Sequence, residues 1–501
     1  MPTKELLSPL LMELHEKSRR MTGIAPIEQW TQQMKTAWSL TTGEFAKRMK
    51  TALDNETELE LTQMIIDLLG LPYRTLTQML PSQRKKTNKL NFNHNDPKGS
   101  EAAGSRIHRE VEKLAKQDRM QKAMQRLLSN GSAGNSEKVF QIMKEMHPER
   151  KEELKKHPQI VKQVHISTKA ASRFLYNAAK QDKSCPGAFG WSANWLLPIR
   201  GLKNGPGRTT FLHQIARLTA RIGNAQVPDI IAFALTCGGI FALNKLPPEE
   251  QMVRETKGLK PKLRPVNVGC AILKWAFKLA IMTKQARDAI VKLAPIQMGL
   301  KAAHGVEVVG HLFRSIWELG HVIITTDYSN GFNAFERQAM LDAVNKKCPG
   351  LNALFSKYYA LDSMCFFRTD AETKIIWSKQ GSRMGCVMGS FGFDLTVDDI
   401  YDAVSIKFPD VVVKALTDDL TIGVKPPESE EDMDNFWEKN SSILKFIAEE
   451  SRRVAGLELN FSKCHCLAPA KLRDPKPGML PKGTNLERNG IRLAGAPIGT
   501  D

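Results

Sequence analysis

Cysteine is scarce: eight in 501 residues, scattered, with no CxxC pair. That excludes a disulfide-built scaffold and reads as a reduced, intracellular compartment. Cys464-His465-Cys466 is the only close cluster, and its spacing does not suit a zinc finger. Long apolar runs are missing as well. The longest, Ile230 to Leu243, contains Thr236 and two glycines. It falls short of the ~20 residues that a membrane-spanning helix needs, so the expectation is a buried core helix and no membrane contact. The N-terminus MPTKELLSPLLMELHEKSRR carries acidic residues inside its apolar pattern, which excludes a signal peptide and reads as an amphipathic helix. There is no internal repeat.

What is present is an ordinary globular composition, 42% hydrophobic and 25% charged. That composition rules out wholesale disorder and a collagen-like fibre, and the length predicts two or three domains. The net charge is +19. It is unevenly placed: residues 151–300 carry net +16 and residues 301–450 net −8. A basic wall beside an acidic centre suits a protein that holds a phosphate backbone near a divalent cation.

Residues 1–80 have helical spacing, clearest in ELTQMIIDLLGLPYRTLTQML. Residues 82–104 are polar and basic and read as a flexible linker. Residues 105–165 return to a helix-like, Lys/Arg-rich pattern. From Cys185 the character changes, with a Gly/Pro turn at 186–191 and a basic, hairpin-like stretch at 253–269. Beyond about residue 320 strands and helices alternate. HVIITT (321–326) is a buried-strand candidate, Phe335–Asn345 and Ser390–Ile406 read as helices, and Val411–Thr417 and Leu420–Val424 have hairpin spacing. The fold class expected is α+β, built around a small sheet.

The strongest chemical signal is carboxylate. Asp327 ends the HVIITT strand, and Asp418-Asp419 sits in the turn of ALTDDLTIG. Adjacent aspartates repel, and a hairpin tip gains nothing from two bare charges; a divalent cation offsets the repulsion. If the two elements pair in one sheet, Asp327 and Asp418 share Mg²⁺. That is the arrangement for phosphoryl transfer by two ions, one activating a hydroxyl and one stabilising the leaving oxygen.

The surrounding residues resemble the ordered motifs of reverse transcriptases, especially those of non-LTR (LINE-like) retrotransposons. Asp327-Tyr-Ser-Asn-Gly-Phe332-Asn resembles the first palm motif, and Gly381-Ser-Arg383-Met384-Gly385-Cys-Val-Met-Gly389 the second. Thr417-Asp418-Asp419 resembles the third, Gly456-Leu-Glu-Leu-Asn460-Phe-Ser-Lys463 the fourth, and Leu493-Ala-Gly495-Ala-Pro-Ile the fifth. Lys262-Leu-Arg264-Pro265-Val resembles the basic fingers motif, and Pro186-Gly187-Ala-Phe-Gly190 the segment that precedes the core. The matches run in the family's order over roughly residues 185–501.

The resemblance implies a right-hand polymerase: a helical basic N-terminal extension over 1–165, a fingers-like region over 166–320 and a palm over 321–501. It implies RNA-directed DNA polymerisation, with an RNA template, a DNA primer and dNTPs as partners and nuclear action. Asp327, Asp418 and Asp419 would bind Mg²⁺, with Mn²⁺ as an alternative. Lys262 and Arg264 would pair with the triphosphate, Arg as a planar fork and Lys as a point charge. Phe332 would be the bulky gate that clashes with a 2′-OH. Gly381, Gly385 and Gly389 would let backbone approach the nucleotide and template–primer. Lys463 would protonate the leaving pyrophosphate.

Two positions depart from the pattern: Met384 where the family has Gln, and Thr417 where it has an aromatic or small residue. The helical thumb that follows the fifth motif in the family is missing before Asp501. The expectation is therefore a truncated element, a fragment of an open reading frame, or one half of a polymerase completed by a second chain. Three rivals stand beside this reading. One is an RNA-dependent RNA polymerase, opposed by Phe332 and by the lack of an SG…T…N pattern in the second motif. Another is an inactive nucleic-acid-binding relic, supported by the missing thumb and opposed by the intact carboxylates. The third, a helical structural protein with chance matches, is opposed by the ordered motifs.

Overall fold

A computed structural model describes residues 3–19, 30–55, 57–79, 112, 129–158, 161–181, 187–201, 206–293, 296–300, 304–493 and 495–500. The proposed linker at 82–104, residues 105–111 and 113–128 of the helix-like stretch that follows it, and Pro186 lie outside these residues. The protein is mixed α+β.

The N-terminal helices Lys4–Arg19, Gln32–Asn55 and Glu58–Met79 form as their spacing predicts. Each buries one stripe: Leu7, Leu11, Trp38, Met49, Leu53, Ile65 and Leu68 join the main core. Trp38 donates its indole N–H to Trp195 O at 2.8 Å, and Trp191 does the same to Leu68 O at 2.7 Å. These bonds tie the extension to the turn that begins at Gly187.

Among the described residues there are two main sheets. The first has the order β2-β1-β4-β5, from β1 (Gly238–Asn244), β2 (Leu263–Gly269), β4 (Ser363–Arg368) and β5 (Thr373–Ser378). β1 runs antiparallel to β2 and parallel to β4, so this sheet draws strands from both sides of residue 320. The second has the order β6-β7-β3-β8-β9, from β3 (Val322–Thr325), β6 (Val412–Leu416), β7 (Asp419–Val424), β8 (His465–Leu467) and β9 (Asn485–Glu487). A separate hairpin, β10 (Gly490–Leu493) with β11 (Ala496–Gly499), follows it.

β3 is apolar over Val322–Ile324, where both its faces are covered. Val322 and Ile324 enter the main core with Tyr401, Leu420 and Ile422. Ile323 enters a second cluster with Phe313, Ile316, Trp317, Leu467 and Ile498. The helix Val387–Lys407 lies under the main-core face and the helix Gly305–Glu318 on the other.

Four expectations are corrected. Ile230–Leu243 is not one helix: a helix over Asp229–Thr236 stops, and β1 starts at Gly238. Two glycines are poor helix formers, and Gly238 presses against Asn267, where an added Cβ would stand 2.2 Å from Oδ1. The 253–269 stretch is not a hairpin. A helix over Pro248–Thr256 begins with prolines and the first-turn acids Glu249 and Glu250, and only then does β2 return to pair with β1. The sheet expected as single and small is two. The catalytic turn is also shifted by one residue: Thr417 and Asp418 form it, and Asp419 is the first residue of β7, paired with Leu416. The Phe335–Asn345 and Ser390–Ile406 helices are present as Arg337–Lys347 and Val387–Lys407.

Candidate active site

β3 and β7 pair antiparallel from Val322↔Val424 to Thr325↔Thr421. Thr326 N donates to Leu420 O at 3.1 Å, which carries the register forward and brings Asp327 to the level of Asp419. The main chain of Asp327 is fixed from the other side by Asn460 N, which donates to its carbonyl at 2.8 Å. The sheet therefore gathers Asp327, Asp418 and Asp419 from segments far apart in sequence.

Their electrostatics reflect the closeness. Surrounding protein raises the Asp418 carboxyl above the usual range, and the Asp327 charge raises it further; Arg264 and Lys245 act against this. Asp419 is pushed up to about 6, first by the protein packed around it and then by Asp418 and Asp327, although its surface reaches solvent. Lys463 Nζ lies 2.8 Å from Asp327 Oδ1.

Cations thus flank the carboxylates on two sides, and one of them, Lys245, was not singled out by the sequence. It follows β1, and its main chain is held by a bond from Lys245 N to Lys262 O at 3.0 Å. Crowding around it holds it below the ordinary lysine range, as do Lys463 and Arg264, while Asp327 and Asp418 push the other way. Nothing local marks this lysine; pairing of β1 with β2 delivers it. Arg264 on β2 and Lys262 just before it are exposed, with Leu263 and Pro265 buried between and beyond them. Arg264 reaches the field of Asp418 and Asp419. Among the described residues no ion pair joins Lys262 to the carboxylates.

Three hard oxygen donors that repel one another suit a divalent cation. Among the described residues no three His, Cys, Asp or Glu side chains are drawn together into a ready-made metal cage. Asp327 Oδ1 is instead turned to Lys463. The donor chemistry fits Mg²⁺, and the side chains stand apart around the place it would take.

Phe332 is half-buried in the short helix Gly331–Ala334, its ring stacked on Phe393 with centroids 4.7 Å apart. The glycine-rich loop wraps this helix: Ser382 N donates to Phe332 O at 2.7 Å and Gly381 N to Phe335 O at 2.9 Å. Gly381 has φ 56, and a Cβ there would stand 2.5 Å from Phe332 O. Gly385, exposed at φ 101, passes 2.7 Å (from an added Cβ) from Asn267 O, while Asn267 N donates to Met384 O at 2.9 Å. The loop therefore bridges the Asp327 segment and β2.

Behind the turn lies another residue the sequence did not single out. Asp394 is fully buried in the Val387–Lys407 helix with neither carboxyl oxygen hydrogen-bonded. Burial, then the charges of Asp418 and Asp398, raise it well above the carboxylate range.

No helix among the described residues is long and apolar enough to cross a membrane. No protein-family model matches the chain, and no curated protein matches it. Among solved structures it is similar to telomerase from Candida albicans in complex with a TWJ fragment of telomeric RNA, at 10% identity over 53% of this chain and 44% of that one, with a TM-score of 0.35. Apo telomerase from Candida tropicalis, truncated from its C-terminal domain, is similar at 12% identity over 46% and 49%, with a TM-score of 0.31. The Candida tropicalis telomerase in complex with a TWJ fragment is similar at 10% identity over 46% and 40%, with a TM-score of 0.29. The chain spans less than half the length of each of these telomerases.

Proposed function

We propose that this chain carries the fingers and palm of a reverse transcriptase of the non-LTR retrotransposon kind, adding dNTPs to a DNA primer 3′-OH on an RNA template. The observation that supports it is the convergence of Asp327 with Asp418 and Asp419 across β3 and β7, with Lys245, Arg264 and Lys463 around them. In this reading residues 1–165 are a helical extension, 166–320 a fingers-like region and 321–501 the palm, with the nucleus as the place of action.

Asp327, Asp418 and Asp419 would hold the Mg²⁺. When bound, the metal supplies activation of the attacking hydroxyl and charge neutralisation at the leaving oxygen. Arg264 and Lys245 bind the triphosphate from the fingers side, and Lys262 extends that cationic face. The Phe332 ring, braced by Phe393, presents a fixed wall to a 2′-OH. Gly385 keeps side-chain bulk out of the path of the nucleotide. Lys463 leaves Asp327 and gives its Nζ proton to the departing pyrophosphate.

The test is primer extension on an RNA template with Mg²⁺ and either dNTPs or rNTPs, beside Asp418→Ala/Asp419→Ala. DNA extension lost in the double variant is the expected result. Ribonucleotide incorporation at equal rate would replace this reading by an RNA-dependent RNA polymerase. No extension with either, despite salt-sensitive binding of template–primer, would replace it by a nucleic-acid-binding relic.

A further inference from the structure

The Thr417-Asp418 turn is gripped by a side chain that belongs to none of the motifs above. Gln297 is 2% exposed and lies just past the Lys284–Leu293 helix, where it forms an isolated parallel bridge with Ala415. Met298 N donates to Ala415 O at 2.7 Å and Ala415 N to Ile296 O at 2.9 Å, so the segment is laced to β6 on both sides of Gln297. The Gln297 amide then spans the turn. Its Nε2 donates to Thr417 O at 3.1 Å, and its Oε1 accepts Thr417 N at 2.7 Å. The same Oε1 accepts Gly299 N at 3.0 Å, and Tyr401 Oη donates to Thr417 O at 3.1 Å.

Thr417 stands at φ 61. A β-branched residue avoids that left-handed region, so it persists only where surrounding structure enforces it. Here one side chain engages both polar main-chain groups of the strained residue. Gly299 makes the space: a Cβ there would stand 2.6 Å from Thr417 Oγ1 and 2.7 Å from Thr417 N.

We propose that Gln297 is a positioning residue, whose two-point hold on Thr417 keeps the turn left-handed and thereby sets the direction of Asp418 and Asp419. Its catalytic consequence rests on the polymerase reading given above. A primary amide offers a donor and an acceptor side by side without ionising. An ionised Glu at 297 lacks the donor and brings a charge beside Asp418; Leu lacks both groups.

The experiment compares the full chain with Gln297→Leu, Gln297→Glu and Gln297→Leu/Thr417→Asn, by steady-state primer extension and by amide hydrogen exchange. Asn tolerates the left-handed region better than Thr. Gln297→Leu is expected to lower kcat about 100-fold, the loss that follows a misplacement of ~1 Å, with the dNTP KM changed less than about threefold. Gln297→Glu falls at least as far. Residues 416–420 exchange about tenfold faster in Gln297→Leu while β3 is unchanged. The Asn double variant regains about tenfold of the lost kcat, because it removes part of what the grip opposes. A kcat within about twofold of the parent, a loss confined to KM, or exchange that quickens equally over β3, β6 and β7 overturns the proposal. If the unaltered chain extends no primer, the polymerase reading fails on its own. The exchange comparison then decides Gln297 separately, and unchanged exchange at 416–420 overturns it.

Discussion

Replacing Arg337 should unfold the glycine-rich loop's support and lower global stability. Arg337 is fully buried at the start of the Arg337–Lys347 helix and has no carboxylate partner among its hydrogen bonds. Nε donates to Gly381 O at 2.9 Å. Nη1 donates to Leu361 O at 3.2 Å and Tyr359 O at 3.4 Å. Nη2 donates to Gln380 O at 3.0 Å and to Ser378 O and Oγ, each at 3.1 Å. Burial drags its pKa down to about 9, still above neutral, so these are bonds from a charged donor at pH 7. Arg337→Met frees five carbonyls, four of them in fully buried bonds and one, Leu361 O, in a part-buried bond. Each buried, unsatisfied acceptor is worth about 1–3 kcal/mol. Removing the desolvated charge gives some of that back, so a net loss of about 3–5 kcal/mol is expected. For a chain of this size that is a fall in Tm of about 3–5 °C. Calorimetry on the full chain reads it, and amide exchange at Gly381 and Ser382 reads the local part. A Tm within about 2 °C of the parent would show that the carbonyls find other partners and that the buried guanidinium does not hold the loop.

Three further outcomes are open to measurement. His15 is buried with its Nδ1 2.6 Å from Ala188 O and its ring on Phe366; burial and then Arg19 hold its pKa below the ordinary 6.5, against Glu16. The unfolded chain therefore binds a proton near 6.5 that the folded one resists, so stability is full above that pH and declines as pH falls below it. Urea midpoints from pH 7.5 down to 5 should drop more steeply in the parent than in His15→Gln, and parallel slopes would refute the linkage. Lys245→Met should raise the dNTP KM about tenfold with a smaller effect on kcat, since it removes one charge-assisted phosphate contact; an unchanged KM would remove Lys245 from the triphosphate site. Phe332→Val should narrow the dNTP-over-rNTP preference by about tenfold or more, read as a ratio of kcat/KM values. Unaltered discrimination would leave Phe332 as a core aromatic paired with Phe393.

The legible parts of this protein were those whose physics is local. HVIITT reads as a strand because both its faces are buried and its residues are β-branched. The hairpin reads from two apolar runs with two residues between them, although its turn falls one position earlier than the paired aspartates suggested. Apolarity alone could not divide Ile230–Leu243, since a buried helix and a buried strand are alike over short runs. The carboxylates were legible as chemistry, but Lys245 and Asp394 were not. Lys245 reaches the site only through the β1–β2 pairing, and Asp394 resembles any helical aspartate until the hairpin covers it. Gln297 belongs with them, because what it grips is a backbone torsion that no residue pattern announces.

The parallel pairing of β1 with β4 also fixes an order of events. Gly238 and Gly239 meet Cys365 and Phe366, and the whole of β3 and its Asp327 lies in the intervening chain. The β1–β2 ribbon can close as soon as residue 269 is made, and the Ala242–Asn244 part of its second edge is met by Gly131–Ala133, but the Gly238–Gly239 part stays bare until β4 exists. That part of the edge is carried unpaired through roughly a hundred residues of synthesis, and such edges invite pairing with other chains. Fragments that stop between residues 270 and 362 should accordingly be insoluble, and those that run past residue 467, where β7 and β8 have also covered both edges of β3, the first to stay in solution.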